Sequence, residues 1–380
     1  MIYFDNSATT YPKPQSVTNA VMLATNRFGA NPGRSGHTMS RLAGKYIENC
    51  RVTAMNMFGA SRPENVVFTL NCTAAINMVI KGLLKKGDHV VTSCLEHNAV
   101  MRPLNKLEKD GIITYTKAMV FPTDHEKTID SFRKSINSNT ALIITTHASN
   151  VWGIRMPVSR IGALGKIYGI PVLVDGAQSA GLVPINMQKM NIDYLCVAGH
   201  KGLYGPMGTG MLITEHGKDL DTIIEGGTGT DSMILCQPKE MPQRLESGTP
   251  NFAGICGLKA GMNFVNGKGI SNIFNHEMKI ITHIYDNLKN IKGIKLYMPR
   301  PTAEHFVPLL SFNFEGIISD KVGKFLDSQK IEVRTGLQCA PSAHEFVGTQ
   351  AQGVVRVSPS VFNTMQEADK LISALSLFLS

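Results

Sequence analysis

Between about residues 65 and 215 the chain alternates short β-rich runs with helical patterns, and this alternation restricts its fold more than any other feature of the 380 residues. The strand candidates span 65–70, 89–93, 112–116, 141–145, 171–174, 194–197 and 210–214. Residues 73–84 place Ile76, Val79, Ile80 and Leu83 on one stripe of a helix, and 158–168 repeats the pattern. Strands alternating with helices argue for a mostly parallel sheet covered on both faces, so the expected class is α/β. After about residue 250 the pattern changes. Helical stretches at 253–265 and 273–290 precede β-rich segments at 294–297, 309–314, 332–335 and 354–357. A last helix starts near 365, behind Thr364-Met365-Gln366-Glu367, the spacing of a capping box. The expected organisation is a large domain over 13–250 and a smaller α+β C-terminal domain over 251–380, with residues 1–12 packing near the functional site.

Several function classes are disfavoured by composition. The net charge of +9 comes from Lys and Arg scattered along the whole chain, with no basic run interleaved with aromatics. Nucleic-acid binding needs a clustered patch, so the charge predicts either a plain basic surface or one that attracts acidic substrates or partner proteins. No apolar run is long enough to span a bilayer. The start, MIYFDNSATT, lacks the basic head and apolar middle of a secretory signal, and a cytoplasmic location is expected. The seven cysteines are odd in number and include no CxxC, so neither a structural zinc site nor a disulfide framework is expected.

The chemistry-bearing residues cluster just after strands, where open α/β sheets bind ligands. Asn71-Cys72-Thr73-Ala74 opens a helix with small and hydroxyl side chains, which suits an anion and equally suits a plain helix cap. Glu96-His97-Asn98 offers a stacking or acid–base histidine, or a structural one. Thr146-His147-Ala148-Ser149-Asn150 crowds polar groups at one strand end, or is a turn. Leu173-Val174-Asp175 ends an apolar strand in a carboxylate poised for a positive ligand atom. Gly199-His200-Lys201-Gly202 puts a lysine in a confined glycine-rich loop, where its amine can attack a carbonyl. An amine, an acid, a flat ring and an anion cradle form the set that pyridoxal 5'-phosphate (PLP) needs.

These loops resemble those of the class V aminotransferases, the fold-type-I PLP-dependent transferase family that includes cysteine desulfurases and selenocysteine lyases. Phe4-Asp5-Asn6-Ser7-Ala8-Thr9-Thr10 and Glu246-Ser247-Gly248-Thr249-Pro250-Asn251 carry the resemblance to nearly the whole chain. It implies that Lys201 bears the cofactor, Asp175 meets its ring nitrogen, His97 stacks on the ring and Gln178 bonds the ring hydroxyl. Thr73 and His200 would hold the phosphate, beside Cys72. Thr249 would reach a phosphate in a neighbouring subunit, implying a homodimer, and Asn150 and Arg356 would hold the substrate carboxylate, with Arg334 nearby.

The segment Arg334-Thr335-Gly336-Leu337-Gln338-Cys339-Ala340-Pro341 narrows the resemblance. Desulfurases carry a catalytic Cys on a loop at this place. Between Gly336 and Pro341, in a stretch with neither helical nor alternating pattern, a core role for Cys339 is disfavoured. The short span to Arg356 is similar to the compact loop of group II (SufS-like) desulfurases. The implied reaction takes sulfur from L-cysteine to a persulfide on Cys339 and releases alanine, with a sulfur-acceptor protein as partner. The rivals are a selenocysteine lyase acting on L-selenocysteine, another PLP reaction, and a non-catalytic scaffold. Two residues depart from the family pattern. Ala198 and Cys72 stand where hydroxyl residues are usual, and Gly226-Gly227-Thr228-Gly229-Thr230 offers either replacement donors or a glycine turn.

Overall fold

The computed structural model describes residues 1–32, 36–229 and 233–379. The chain opens with a two-residue strand, β1 (Ile2–Tyr3). Seven strands follow: β2 (Val66–Thr69), β3 (His89–Ser93), β4 (Thr114–Ala118), β5 (Thr140–Thr146), β6 (Val172–Asp175), β7 (Tyr194–Ala198) and β8 (Gly210–Thr214). They form one sheet in the order β2-β8-β7-β6-β5-β3-β4, in which β8 runs antiparallel to both of its neighbours. The neighbouring pairs from β7 to β4 are parallel. The α/β class expected from the alternation is the class observed.

The central strands β6, β7 and β8 are buried along their whole length, because helices cover both faces. Alternate residues go to opposite cores. Leu142, Ile144 and Leu173 meet Ile76, Val79 and Leu104 on one face. Ile143, Val172 and Val174 meet Ile161, Leu164, Leu258 and Met262 on the other. Leu258 and Met262 belong to the helix Phe252–Lys268, so the first helix past residue 250 packs into the core of the large sheet.

Four further strands complete the chain: β9 (Ile294–Leu296), β10 (Leu310–Phe314), β11 (Ile331–Glu332) and β12 (Val355–Val357). β12-β10-β9 form an antiparallel sheet, and β1 pairs in parallel with β11. Phe4 joins the core of this unit with Ile284, Phe312, Val355 and Leu371, which ties the N-terminus to the C-terminal third of the chain. The helix Met365–Ser376 starts with the expected capping box: Thr364 and Glu367 each accept the other's backbone N–H.

Two strands lie elsewhere than the apolar pattern places them. The strand expected at 112–116 is shifted to Thr114–Ala118. Ile113 is buried, but it belongs to the turn that follows a helix; β4 itself is an edge strand with Thr114, Thr116 and Lys117 exposed, so hydrophobicity does not mark it. Of 332–335, only Glu332 lies in a strand, and Arg334 makes a single bridge to Arg356. Among the described residues no helix is long and apolar enough to cross a membrane.

Candidate active site

The loops beyond the ends of β2, β3, β5, β6 and β7 enclose a cavity of about 280 Å³. It lies where the chain leaves β3 toward β4 but leaves β5 toward β6, the switch point of such a sheet. Eleven of the twelve residues singled out in the sequence line this cavity: Cys72, Thr73, His97, Asn150, Asp175, Gln178, His200, Lys201, Arg334, Cys339 and Arg356. Thr249 does not. It is exposed in a separate groove of about 750 Å³, shared with Thr228 and Glu246. Residues 226–229 belong to that neighbourhood, with Gly248 N donating to Gly227 O at 3.0 Å, while Thr230 lies outside the described residues.

Lys201 follows the wholly buried run of β7, so its side chain enters the cavity from a rigid strand end. Burial lowers its pKa, and Asp175 works in the opposite direction. Asp175 closes β6; its Oδ1 accepts from Ala177 N at 2.9 Å and from the Cys72 thiol at 3.4 Å. Burial raises the Cys72 thiol well above its ordinary value, with Asp175 adding to the effect, so Cys72 stays a neutral donor to that carboxylate. Cys72 and Thr73 begin the helix Cys72–Leu83, whose cap Asn71 accepts from Ala74 N at 2.9 Å. Gly210 lets this turn lie against β8, since a Cβ there would come within 2.5 Å of the Asn71 carbonyl carbon.

His97 caps the helix Asn98–Lys109 through Nδ1, which accepts from Ala99 N at 3.0 Å and so assigns the ring proton to Nε2. Burial lowers its pKa against the pull of Asp175, which favours a neutral ring. Glu96 locks this loop to β5, accepting from Thr146 N at 2.8 Å and from Ser93 Oγ. Burial pushes Glu96 up to about 8.

Arg356 is buried on β12. Its Nη2 meets Asp5 Oδ1 at 2.7 Å, its Nη1 donates to Asn150 O at 2.9 Å, and its Nε has no partner. Asn150 Nδ2 in turn donates to Gln338 O at 2.7 Å. Cys339 sits exposed at the rim. Gln338 and Cys339 both have left-handed backbones, with φ of 42° and 57°. Such strain is held only where surroundings over-determine it. Here Asn98 N donates to Cys339 O at 2.8 Å, and Gln338 bonds Val354 O and His344.

Asp5, Gln338 and Lys13, whose Nζ donates to His200 O at 2.7 Å, serve the site without a local sequence signal. Asp5 lies in the quoted segment 4–10, but its contact with Arg356 spans 351 residues and has no local signature. Outside the cavity, His125, Glu304 and His305 bring three possible ligand atoms within 4.8 Å of one another. Arg155, Arg160 and the helix N-terminus at His125 oppose a cation there.

The family model for aminotransferase class-V proteins matches residues 2–371. The chain belongs to the class V aminotransferase family. A probable cysteine desulfurase of Pyrococcus abyssi is 33% identical over 386 residues, covering 99% of this chain and 93% of that protein. One from Halalkalibacterium halodurans is 31% identical over 383 residues, covering 99% and 92%. The apo cysteine desulfurase of Thermococcus onnurineus superposes with a TM-score of 0.91 at 30% identity, covering 99% of this chain and 94% of that one. This member of the class V aminotransferase family therefore has the fold-type-I architecture expected of it. The family is PLP-dependent, and the cavity fits that group. His200 Nδ1 is buried without a partner, Lys201 offers an amine of lowered pKa, and Asp175 and a helix N-terminus face the same space.

Proposed function

We propose that this chain is a PLP-dependent cysteine desulfurase that converts L-cysteine to L-alanine and takes the sulfur onto Cys339. The observation that carries the reading is an exposed thiol, Cys339, on the rim of the cavity that holds Lys201 and Asp175. A transaminase has no use for that thiol. Bound PLP supplies an electron sink for charge that develops at the substrate α-carbon.

The protein's own residues do the rest. Lys201 carries the cofactor and moves the α-proton with its Nζ. Asp175 holds the proton on the ring nitrogen, with its Oδ1 already fixed by Ala177 N. His97 would stack on the ring, and its Nε2, left free by the Nδ1 bond to Ala99 N, would shuttle a proton to or from the departing sulfur. Gln178 bonds the ring hydroxyl, while Thr73, His200 and the Cys72 turn hold the phosphate. Arg356, with Asn150 and Arg334, takes the substrate carboxylate, and Asp5 Oδ1 at 2.7 Å from Nη2 orients its guanidinium. The thiolate of Cys339 attacks the substrate sulfur; the S–S bond forms as the C–S bond breaks.

The loop around Cys339 is tied down by Asn98, Asn150 and Val354, which supports the compact group II form. A compact loop has little reach, so release of sulfur to a partner thiol protein is expected to limit turnover. Thr249, on an exposed groove away from the cavity, supports a homodimer in which it contacts the partner's phosphate.

The direct test supplies L-cysteine as sole substrate. Alanine with no keto acid consumed fits the reading, while a keto acid product would contradict it. Arg356→Lys keeps the charge but loses the planar fork, so KM for cysteine should rise about 10- to 100-fold with a smaller change in kcat. Equal KM in both proteins would remove Arg356 from the substrate site. Asp175→Asn should lower kcat by roughly a hundredfold or more at unchanged melting temperature, since the preorganised negative charge is gone. Near-normal turnover would mean that Asp175 does not serve the ring nitrogen.

A further inference from the structure

One carbonyl oxygen in this site collects an unusual set of donors. His200 O, on the peptide that leads into Lys201, accepts from Thr10 N at 3.2 Å, Thr9 Oγ1 at 3.1 Å, Thr10 Oγ1 at 3.2 Å and Lys13 Nζ at 2.7 Å. A carbonyl has two lone pairs, so these donors compete, and the shortest and only charged one is the strongest. Lys13 Nζ also donates to Thr10 Oγ1 at 2.7 Å, which turns the Thr10 hydroxyl proton toward the carbonyls of His200 and Lys201, at 3.2 Å each. Both carbonyls flanking the Lys201 Cα are thus tied to residues 9–13.

We propose that Lys13 is a positioning residue for Lys201: its ammonium, seated on the His200 carbonyl, holds the one peptide from which both His200 and Lys201 enter the cavity. The proposal rests on the reading of Lys201 as the cofactor lysine and assigns a role to a residue outside the cavity wall.

The surroundings of Lys13 argue against a merely local role. It precedes Pro14, the cap of the helix Gln15–Arg27, where the helix dipole disfavours a cation. Among the described residues no carboxylate forms an ion pair with it, and burial pulls its pKa down to about 8. A half-buried ammonium kept without a counter-ion is costly, and its contacts are the His200 carbonyl and a threonine that serves the same loop. The charge has a second effect. Burial, then Lys201, then Lys13 push His200 down to about 4, so its ring stays neutral, with the unpartnered Nδ1 in the buried interior.

The test compares holoenzymes of the wild type, Lys13→Met, Lys13→Gln and Lys13→Arg. The readouts are the rate of PLP loss into a scavenger, the pH titration of the absorption band of lysine-bound PLP, and the melting temperature. Lys13→Met should lose PLP about tenfold faster or more, the weight of one charge-assisted hydrogen bond, and should shift the titration. Lys13→Gln should fall between, Lys13→Arg should stay near wild type, and all should melt within a few degrees of one another. If Lys13→Met is insoluble, Lys13→Gln carries the same comparison. PLP retention and titration unchanged in Lys13→Met and Lys13→Gln would overturn the proposal. So would an equal loss in Lys13→Arg that follows a drop in melting temperature. Peptide mapping of the reduced wild-type protein keeps the two readings apart. A label on a lysine other than 201 sinks the cofactor assignment and this proposal with it, whereas a label on Lys201 with unaltered variants sinks the proposal alone.

Discussion

Lys201→Ala is expected to abolish turnover, by at least about a thousandfold, because in the proposed function it removes both the covalent tether for PLP and the base that moves the α-proton. Among the described residues, Lys201 is the one lysine that lines the cavity. Lys13 is the other lysine near this loop, and its Nζ is held at 2.7 Å by both Thr10 Oγ1 and His200 O. Arg334 and Arg356 offer guanidinium groups rather than amines and cannot substitute. PLP should still enter the variant non-covalently, since Asp175, the turn at Cys72 and Thr73, and His200 remain. Borohydride reduction of the wild-type protein should place the label on the peptide containing Lys201, and the variant should take none.

Cys339→Ser is expected to stop sulfur transfer while leaving the cofactor chemistry intact. A serine hydroxyl is not ionised near neutral pH and forms no stable analogue of a persulfide. The other six thiols are poorly placed to compensate. Cys50, Cys72, Cys94 and Cys196 are buried, and burial pushes all four thiols up. Cys256 is half-buried and pushed up to about 11. Cys236 is exposed but does not line the cavity. Cys72 does line it, yet its proton is engaged by Asp175. The variant should therefore show the spectral change on adding cysteine, without the rapid phase of alanine release. Alanine formation at the wild-type rate would point to a lyase reaction in which the chalcogen leaves unaided.

The large sheet was legible because its buried strands are short continuous apolar runs set between helices, and 89–93 and 210–214 match the structure at both ends. The edge strand β4 was displaced because exposed Thr and Lys residues hide it. At the site, residues that end a strand or open a helix could be found, because they carry local patterns: Asp175 after an apolar run, Lys201 among glycines, Thr73 at a cap. The N-terminal strap was only partly legible. Segment 4–10 stood out, but the contacts of Asp5 with Arg356 and of Thr9, Thr10 and Lys13 with His200 O join residues nearly 190 to 351 positions apart. No periodicity records a contact of that kind. The same holds for Gln338, whose carbonyl meets Asn150 only once two distant loops have been brought together.

The central claim is that the sulfur of L-cysteine passes to Cys339, and a burst experiment tests it most directly. The wild-type protein, loaded with PLP, is mixed with excess L-cysteine and quenched at intervals, and alanine and protein-bound persulfide are quantified in the same samples. The account predicts a burst of about one alanine per active site, matched by persulfide mapped to Cys339, then slow release that a reductant or a partner thiol protein accelerates. Alanine accumulating linearly from the first time point, with no sulfur on Cys339, would contradict it.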